Sequence, residues 1–272
     1  MTVKAVAVDM DGTFLNPNQS YDKARFNNLY QQLKLQNIEF IVASGNQYYQ
    51  LASHFPDIVD DISYVAENGA LLYLHGQELF HGEMSQDVLN KVYDILDADP
   101  TIDYVACGLN GAYVLPRVSK EFADIATHHY ARLDTVTDIR AIQDVMFKFS
   151  IKTTVEHADE LIGELNGKLG DVVHTVSSGF GFIDLIIPGL HKANGLTKVL
   201  NKMNISPEEC VAIGDSLNDK EMLELVGYSF AMGNAAEKVK AVAKYQTQSN
   251  SEDGALNVIE KIVHGDAPFN RQ

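Results

Sequence analysis

Val3-Lys4-Ala5-Val6-Ala7-Val8 is short, rich in β-formers and almost wholly apolar, the pattern of a strand buried on both faces. Such strands belong to parallel sheets with helices on either side. The run stops at Asp9-Met10-Asp11-Gly12-Thr13, which sets two carboxylates two residues apart at the exit of a buried strand. In open α/β sheets the working site lies beyond the carboxyl ends of the strands. One carboxylate there can serve as nucleophile and its neighbour as acid and base, and Gly12 permits the sharp turn.

The rest of the chain extends this start. Phe26, Leu29, Tyr30 and Leu33 recur at helical spacing between about 21 and 35, and 38–43 supplies a second apolar strand closed by Ser44-Gly45-Asn46. A helix is expected over 47–54. Strands at 64–66 and 70–74 flank Glu67-Asn68-Gly69, whose Asn-Gly pair reads as a hairpin turn. From about Met84 to Pro188 strands outnumber helices: helices near 87–96, 120–128 and 158–169, strands near 104–107, 112–115, 146–151, 172–176 and 182–187. This is the pattern of an inserted α+β unit. The βα rhythm returns with helices at 193–203, 220–226 and 254–263 and strands at 210–214 and 229–232. The expected architecture is α/β, a doubly wound parallel sheet with an α+β insertion, divided as 1–83, 84–188 and 189–272.

Charge narrows the partners. Against 21 Lys and Arg stand 37 Asp and Glu, a net −16 over 272 residues, which disfavours nucleic acid and anionic membranes and leaves small molecules. No apolar run approaches the roughly 20 residues of a membrane span. Cys107 and Cys210 make no ligand spacing, so a reducing cytoplasm is expected. The expected state is a monomer or small homo-oligomer.

Two further strand ends are polar. Gly214-Asp215-Ser216-Leu217-Asn218-Asp219 offers hard oxygen ligands suited to Mg²⁺ beside a phosphate; the lesser alternative is a helix cap at Asn218 or Asp219. Ser44 could cap a helix or bind a phosphoryl oxygen beside backbone N–H groups. Lys192 opens a helix, where a cation opposes the helix dipole, so it is either an exposed, solvated lysine or one with a task. In the insertion, Gly179-Phe180-Gly181-Phe182 and Asp184 suit a sugar: glycines for close approach, a ring for stacking, a carboxylate for hydroxyls. Alternatively, the two phenylalanines share a strand face and pack inside the insertion. His128, His129, His191, Tyr48 and Tyr49 are expected at the surface or in packing.

In this order and on these elements the motifs resemble the haloacid dehalogenase superfamily, in its Cof-type branch with a large α/β cap between the second and third motifs. Asp9 to Thr13 is similar to the first motif, Ala43 to Asn46 to the second, Lys192 to the third and Gly214 to Asp219 to the fourth. Phe230 to Ala235 and Asp253-Gly254 also resemble the branch. The likeness runs closest to bacterial sugar phosphatases, through 42–49, 178–184 and 188–195. Asn46 stands where many members carry arginine.

This resemblance implies a Rossmann-like core and hydrolysis of small phosphate monoesters: sugar phosphates, hexose or pentose, or flavin mononucleotide. Asp9 would attack phosphorus, and Asp11 would protonate the leaving oxygen and then activate water. Mg²⁺ would lie between Asp9, the Asp11 carbonyl and Asp215, with Asp219 holding the loop or a metal-bound water. Met10, Gly12, Ser44, Gly45, Asn46, Lys192 and Asn218 would bind the phosphoryl group, and Gly179, Phe180, Gly181 and Asp184 the leaving group. The alternatives are a sugar phosphomutase or phosphotransferase, and a phospho-acceptor signalling module. The second carboxylate and the insertion weigh against the module.

Overall fold

The computed structural model describes residues 2–179 and 181–270. In chain order the first part holds β1 (Ala5–Val8), α1 (Lys23–Leu35), β2 (Glu39–Ala43), α2 (Tyr48–His54), β3 (Ser63–Ala66), β4 (Leu71–Leu74) and β5 (Gln77–His81). There follow α3 (Gln86–Asp97), β6 (Tyr104–Gly108), β7 (Ala112–Val114), α4 (Lys120–His129), β8 (Leu133–Thr135), β9 (Met146–Lys152), α5 (Val155–Leu169), β10 (His174–Gly179) and β11 (Phe182–Ile186). The last part holds α6 (Lys192–Lys202), β12 (Cys210–Gly214), α7 (Lys220–Leu225), β13 (Tyr228–Ala231), α8 (Glu237–Lys240), β14 (Tyr245–Gln246) and α9 (Gly254–His264).

The first sheet runs β14-β13-β12-β1-β2-β3-β4-β5 and is parallel from β14 to β3. Every residue of β1 and β12 is buried, as their unbroken apolar sequences require of central strands. One face is covered by α1 and α9, the other by α6 and α7. Helix α1 turns Phe26, Leu29, Tyr30 and Leu33 inward and is started by the Asp22 side chain, which accepts from the Arg25 N–H at 2.9 Å. β4 and β5 finish the sheet as antiparallel strands.

The second sheet runs β10-β11-β9-β6-β7-β8 and is antiparallel except between β7 and β8. Phe149 and Ile151 on β9 pack against α3 and α5 in a separate apolar cluster. Alternation along β9 sends Lys148 and Ser150 to the opposite face. Asp184 of β11 pairs in register with Ser150 and shares that face. Both cysteines are buried free thiols, Cys107 on β6 and Cys210 on β12.

The structure departs from the sequence reading mainly at edges. β5, β8 and β14 were not expected. β5 alternates no apolar face, and the other two are three and two residues long. The strand read at 172–176 lies at 174–179, and the hairpin turn expected at the Asn-Gly pair is a longer connection, residues 67–70 between the paired Ala66 and Leu71, with a 3-10 turn over Glu67–Gly69. Among the described residues no helix is long and apolar enough to cross a membrane.

Candidate active site

The first loop leaves β1 in a tight knot. Thr13 and Leu15 donate their N–H groups to the Met10 carbonyl and Phe14 donates to Asp9. Gly12 is what allows it: its φ is +76°, and a Cβ there would fall 2.5 Å from Asp215 Oδ2. Thr13 Oγ1 donates to Asp215 Oδ1 at 2.8 Å, joining the loop to the one after β12. Underneath, the Phe14 ring is wedged among Tyr21, Phe26, Phe40 and Phe55, with centroids 4.8 to 5.8 Å away. An aromatic anchor of this kind holds the preceding residues to one geometry.

Three carboxylates converge here. Asp9, Asp215 and Asp219 are all buried, with oxygens within 4.8 Å of one another. Lys192, 1% exposed, donates to Asp9 Oδ1 and to Asp219 Oδ1, each at 2.7 Å. Asp219 Oδ2 accepts the N–H groups of Asp215 and Ser216, both at 3.0 Å, so both its oxygens tie the loop and the lysine in place. Burial lifts Asp9 well above the usual carboxylate range; Asp219 adds to this and Lys192 offsets it only partly. Burial and Asp219 push Asp215 up to about 7. Lys192 stays above its ordinary value because Asp219 and Asp9 outweigh its own burial. One ammonium against three buried carboxylates leaves an uncompensated negative charge, and all-oxygen donors fit a hard divalent cation.

The loop after β2 completes this side. Ser44 Oγ accepts from the Asn46 N–H at 3.1 Å, and α2 begins at Tyr48 with Gln47 before it, so Ser44 shapes the loop and does not cap the helix. Asn46 Nδ2 donates to Asp11 Oδ2 at 2.5 Å. A neutral amide thus orients the second carboxyl. Asn234 Nδ2 reaches the Gly12 carbonyl at 2.8 Å.

The second sheet roofs these loops. Lys148 Nζ donates to the Gly45 carbonyl at 2.6 Å and pairs with Glu67 Oε2 at 2.6 Å. Asp184 Oδ2 accepts from Asn68 Nδ2 and Ser178 Oγ, each at 2.7 Å, and Asn218 Nδ2 donates to Asn68 Oδ1 at 3.1 Å. Between roof and loops lies a cavity of about 480 Å³. Burial would lower the Lys148 pKa, but Asp184 and Glu67 more than reverse this, so it stays an ammonium.

The chain matches the haloacid dehalogenase-like hydrolase family over residues 6–259. It belongs to that family. This hydrolase is 44% identical over 271 residues to the 5-amino-6-(5-phospho-D-ribitylamino)uracil phosphatase YbjI of Escherichia coli, covering 100% of both chains. It is 27% identical to the phosphatase YwpJ of Bacillus subtilis, over 96% of this chain and 100% of the other. A solved structure from Streptococcus mutans shares 35% identity at a TM-score of 0.91, over 97% of this chain and 100% of that one. The sugar phosphatase BT4131, of subclass IIB, shares the fold at a TM-score of 0.82 and 20% identity, over 95% and 98% of the two chains. The hydrolase is a phosphatase, a phosphoric monoester hydrolase of this family. That sets aside the phospho-acceptor module.

Of the residues singled out in the sequence, Asp9, Asp11, Gly12, Ser44, Gly45, Asn46, Asp184, Asp215 and Asn218 line the hydrolase's cavity. Lys192 and Asp219 stand behind Asp9, and Lys192 is no solvated lysine. The Met10 side chain is fully buried in the apolar core, so only its main chain faces the loop, where its carbonyl closes the knot. Gly181 serves the strand and not the cavity: its carbonyl accepts from the Thr153 N–H at 2.9 Å. Gly179 ends β10, and Phe180 lies outside the described residues. Phe182 lines the cavity, edge-on to His129 at 5.0 Å, so His129 is a wall residue and not a surface one.

Sequence reasoning missed Lys148 and Ser150, read Glu67 and Asn68 as a turn alone, and named Ser178 and Asn234 within stretches resembling the branch without giving them a role. One signal was available. Lys148 is a lone lysine inside the apolar strand Met146-Phe147-Lys148-Phe149, and a charge in a buried strand needs a partner.

Proposed function

We propose that this hydrolase cleaves monoesters whose phosphate sits on a sugar or polyol carbon, through an aspartyl-phosphate on Asp9 with Mg²⁺ as its metal. The substrates meant are hexose and pentose phosphates and phosphorylated ribityl compounds, flavin mononucleotide among them. The observation that carries this reading is the cluster of Asp9 and Asp215, backed by Asp219 and Lys192, on one wall of a cavity whose roof offers Lys148, Asp184 and the hydroxyls of Ser150 and Ser178. At about 480 Å³ that cavity falls in the size range of small-ligand sites. The full-length likeness to a phosphatase named for a phosphoribityl substrate supports the polyol class.

In this reading each step is assigned to a residue. Lys192 fixes Asp9 Oδ1, which orients the remaining carboxylate oxygen for in-line attack on phosphorus. Asp11, steadied by Asn46, gives its proton to the departing sugar oxygen and later takes one from the water that opens the intermediate; one carboxyl serves both because the steps alternate. Ser44, Gly45, Asn46 and Asn218 surround the phosphoryl oxygens, where positioning and charge stabilisation dominate the barrier. Asp9 and Asp215 would hold Mg²⁺, with the Asp11 carbonyl as a third donor and Asp219 bracing the loop. When bound, the metal offsets the repulsion between a carboxylate nucleophile and an anionic ester.

A panel of phosphate esters ranked by kcat/KM tests the reading. Sugar and ribityl phosphates are expected to exceed 4-nitrophenyl phosphate by about tenfold or more, since only they use the polar roof. A flat ranking overturns the polyol assignment.

A further inference from the structure

The contact between β9 and the turn Glu67-Asn68-Gly69 is not used by the chemistry above, yet it is the most deeply buried charge pair across the two sheets. Lys148 and Glu67 are each 1% exposed. The turn is held in an unusual backbone state, with φ of +52° at Glu67 and +56° at Asn68, outside the range most side chains adopt. What that geometry achieves is seen in the loop beside it. The Ser44 carbonyl accepts the Asn68 N–H at 3.0 Å and the Asn46 carbonyl accepts the Glu67 N–H at 3.1 Å. The carbonyl between them, that of Gly45, takes the Lys148 ammonium at 2.6 Å.

Three successive carbonyls are thereby committed, two by the turn and one by the second sheet. In a trans peptide the N–H points opposite its own carbonyl. Fixing the carbonyls of Ser44 and Gly45 therefore aims the Gly45 N–H away from the turn, and turns the Asn46 N–H away from Lys148 and onto Ser44 Oγ. Neighbouring contacts reinforce the coupling. Gln47 exchanges two hydrogen bonds with the Arg132 main chain, both 2.9 Å, and Tyr49 Oη donates to the Leu109 carbonyl at 3.1 Å. Residues 45 to 49 thus bear the weight of the second sheet.

We propose that Lys148 is a positioning residue for phosphoryl transfer. By holding the Gly45 carbonyl from the second sheet, it makes the phosphate-gripping shape of the Ser44–Asn46 loop depend on the docking of that sheet. This deepens the functional reading and rests on it: a phosphate can be gripped well only while the roof is seated, so binding and enclosure become one event. Lys148 need not touch the ester itself.

The test uses K148M, with inorganic phosphate as a competitive inhibitor and with 4-nitrophenyl phosphate and ribose 5-phosphate as substrates. K148M alone strands the Glu67 charge, so K148M/E67M is made as well, because replacing a buried pair by apolar groups of like size is often tolerated; circular dichroism and melting verify folding. In the folded variant the Ki of inorganic phosphate and the KM of both esters are expected to rise together, about tenfold or more, the loss appropriate to one charge-assisted hydrogen bond. The ratio of kcat/KM between the two esters stays within about twofold. A wild-type Ki for inorganic phosphate overturns the proposal, since phosphate has no leaving group for a roof residue to contact. A selective loss on one ester also overturns it, by making Lys148 a leaving-group contact. Failure of the phosphatase reading would look different: wild-type protein inactive on the whole ester panel.

Discussion

The two sheets handle charge in opposite ways. In the first, the residues of the candidate site sit just beyond the ends of strands, at Asp9, Ser44 and Asp215, where loops supply N–H donors and a hydroxyl. In the second they sit in the middle of strands, at Lys148 and Asp184, where the ladder has already consumed the backbone donors. A charge at a strand end is met by the loops and helix gathered at the same sheet edge, as Lys192 meets Asp9 and Thr13 meets Asp215; a charge in mid-strand must be met from across an interface. Glu67 and Asn68 provide that partner. The first sheet's chemistry is therefore assembled along its own carboxyl edge, from distant parts of the chain, whereas the second sheet's polar face is complete only when both sheets are together.

This contrast can be broken by substitution. Asp9→Asn removes the attacking oxygen, so turnover should fall on the order of 10⁴-fold or more for every ester with the fold retained; a variant near wild-type rate would remove Asp9 as nucleophile. Withdrawal of metal with EDTA should eliminate activity, and added Mg²⁺ should restore it, because three buried carboxylates face one lysine. Full turnover in metal-free buffer would contradict that assignment. Asp11→Asn should slow turnover by about 10² to 10⁴-fold, the usual worth of general acid and base catalysis, with an unchanged rate excluding it from proton transfer. All three losses should be indifferent to the sugar.

Second-sheet substitutions sharpen the contrast from the other side. Asp184→Asn should lower kcat/KM about tenfold more for polyol esters than for 4-nitrophenyl phosphate; equal losses on both would make Asp184 structural. The smallest effect concerns stability without metal. Asp215 is pushed up to about 7 by burial and by Asp219, so between the ordinary carboxylate pKa and about 7 the folded chain binds more protons than the unfolded one. Stability then falls as pH rises through that window. Metal-free protein should melt a few degrees lower at pH 8 than at pH 5, and Mg²⁺ should shrink the difference. A melting point that rises with pH over this range would refute the burial of an uncompensated Asp215.

Legibility in the sequence follows the same division. Asp9-Met10-Asp11-Gly12-Thr13 and the loop at 214–219 could be read because strand, turn and carboxylate are contiguous. Lys192 could be singled out as a cation at the wrong end of a helix, though only the structure shows it buried between Asp9 and Asp219. Lys148 could not be assigned a partner, since Glu67 lies 81 positions earlier in what reads as an ordinary Asn-Gly turn. Gly181 misled for a related reason: a glycine signals close approach, but here what approaches is the Thr153 main chain. The edge strands β5, β8 and β14 escaped because short, half-exposed strands carry little apolar alternation.

The two buried thiols give this molecule its own reporters. Burial pushes the pKa of Cys107 and of Cys210 upward, and only a thiolate is alkylated readily, so the native chain should resist maleimide. One thiol belongs to each sheet, and labelling followed by peptide mapping under mild denaturant would therefore record, without any added probe, which half of the molecule opens first.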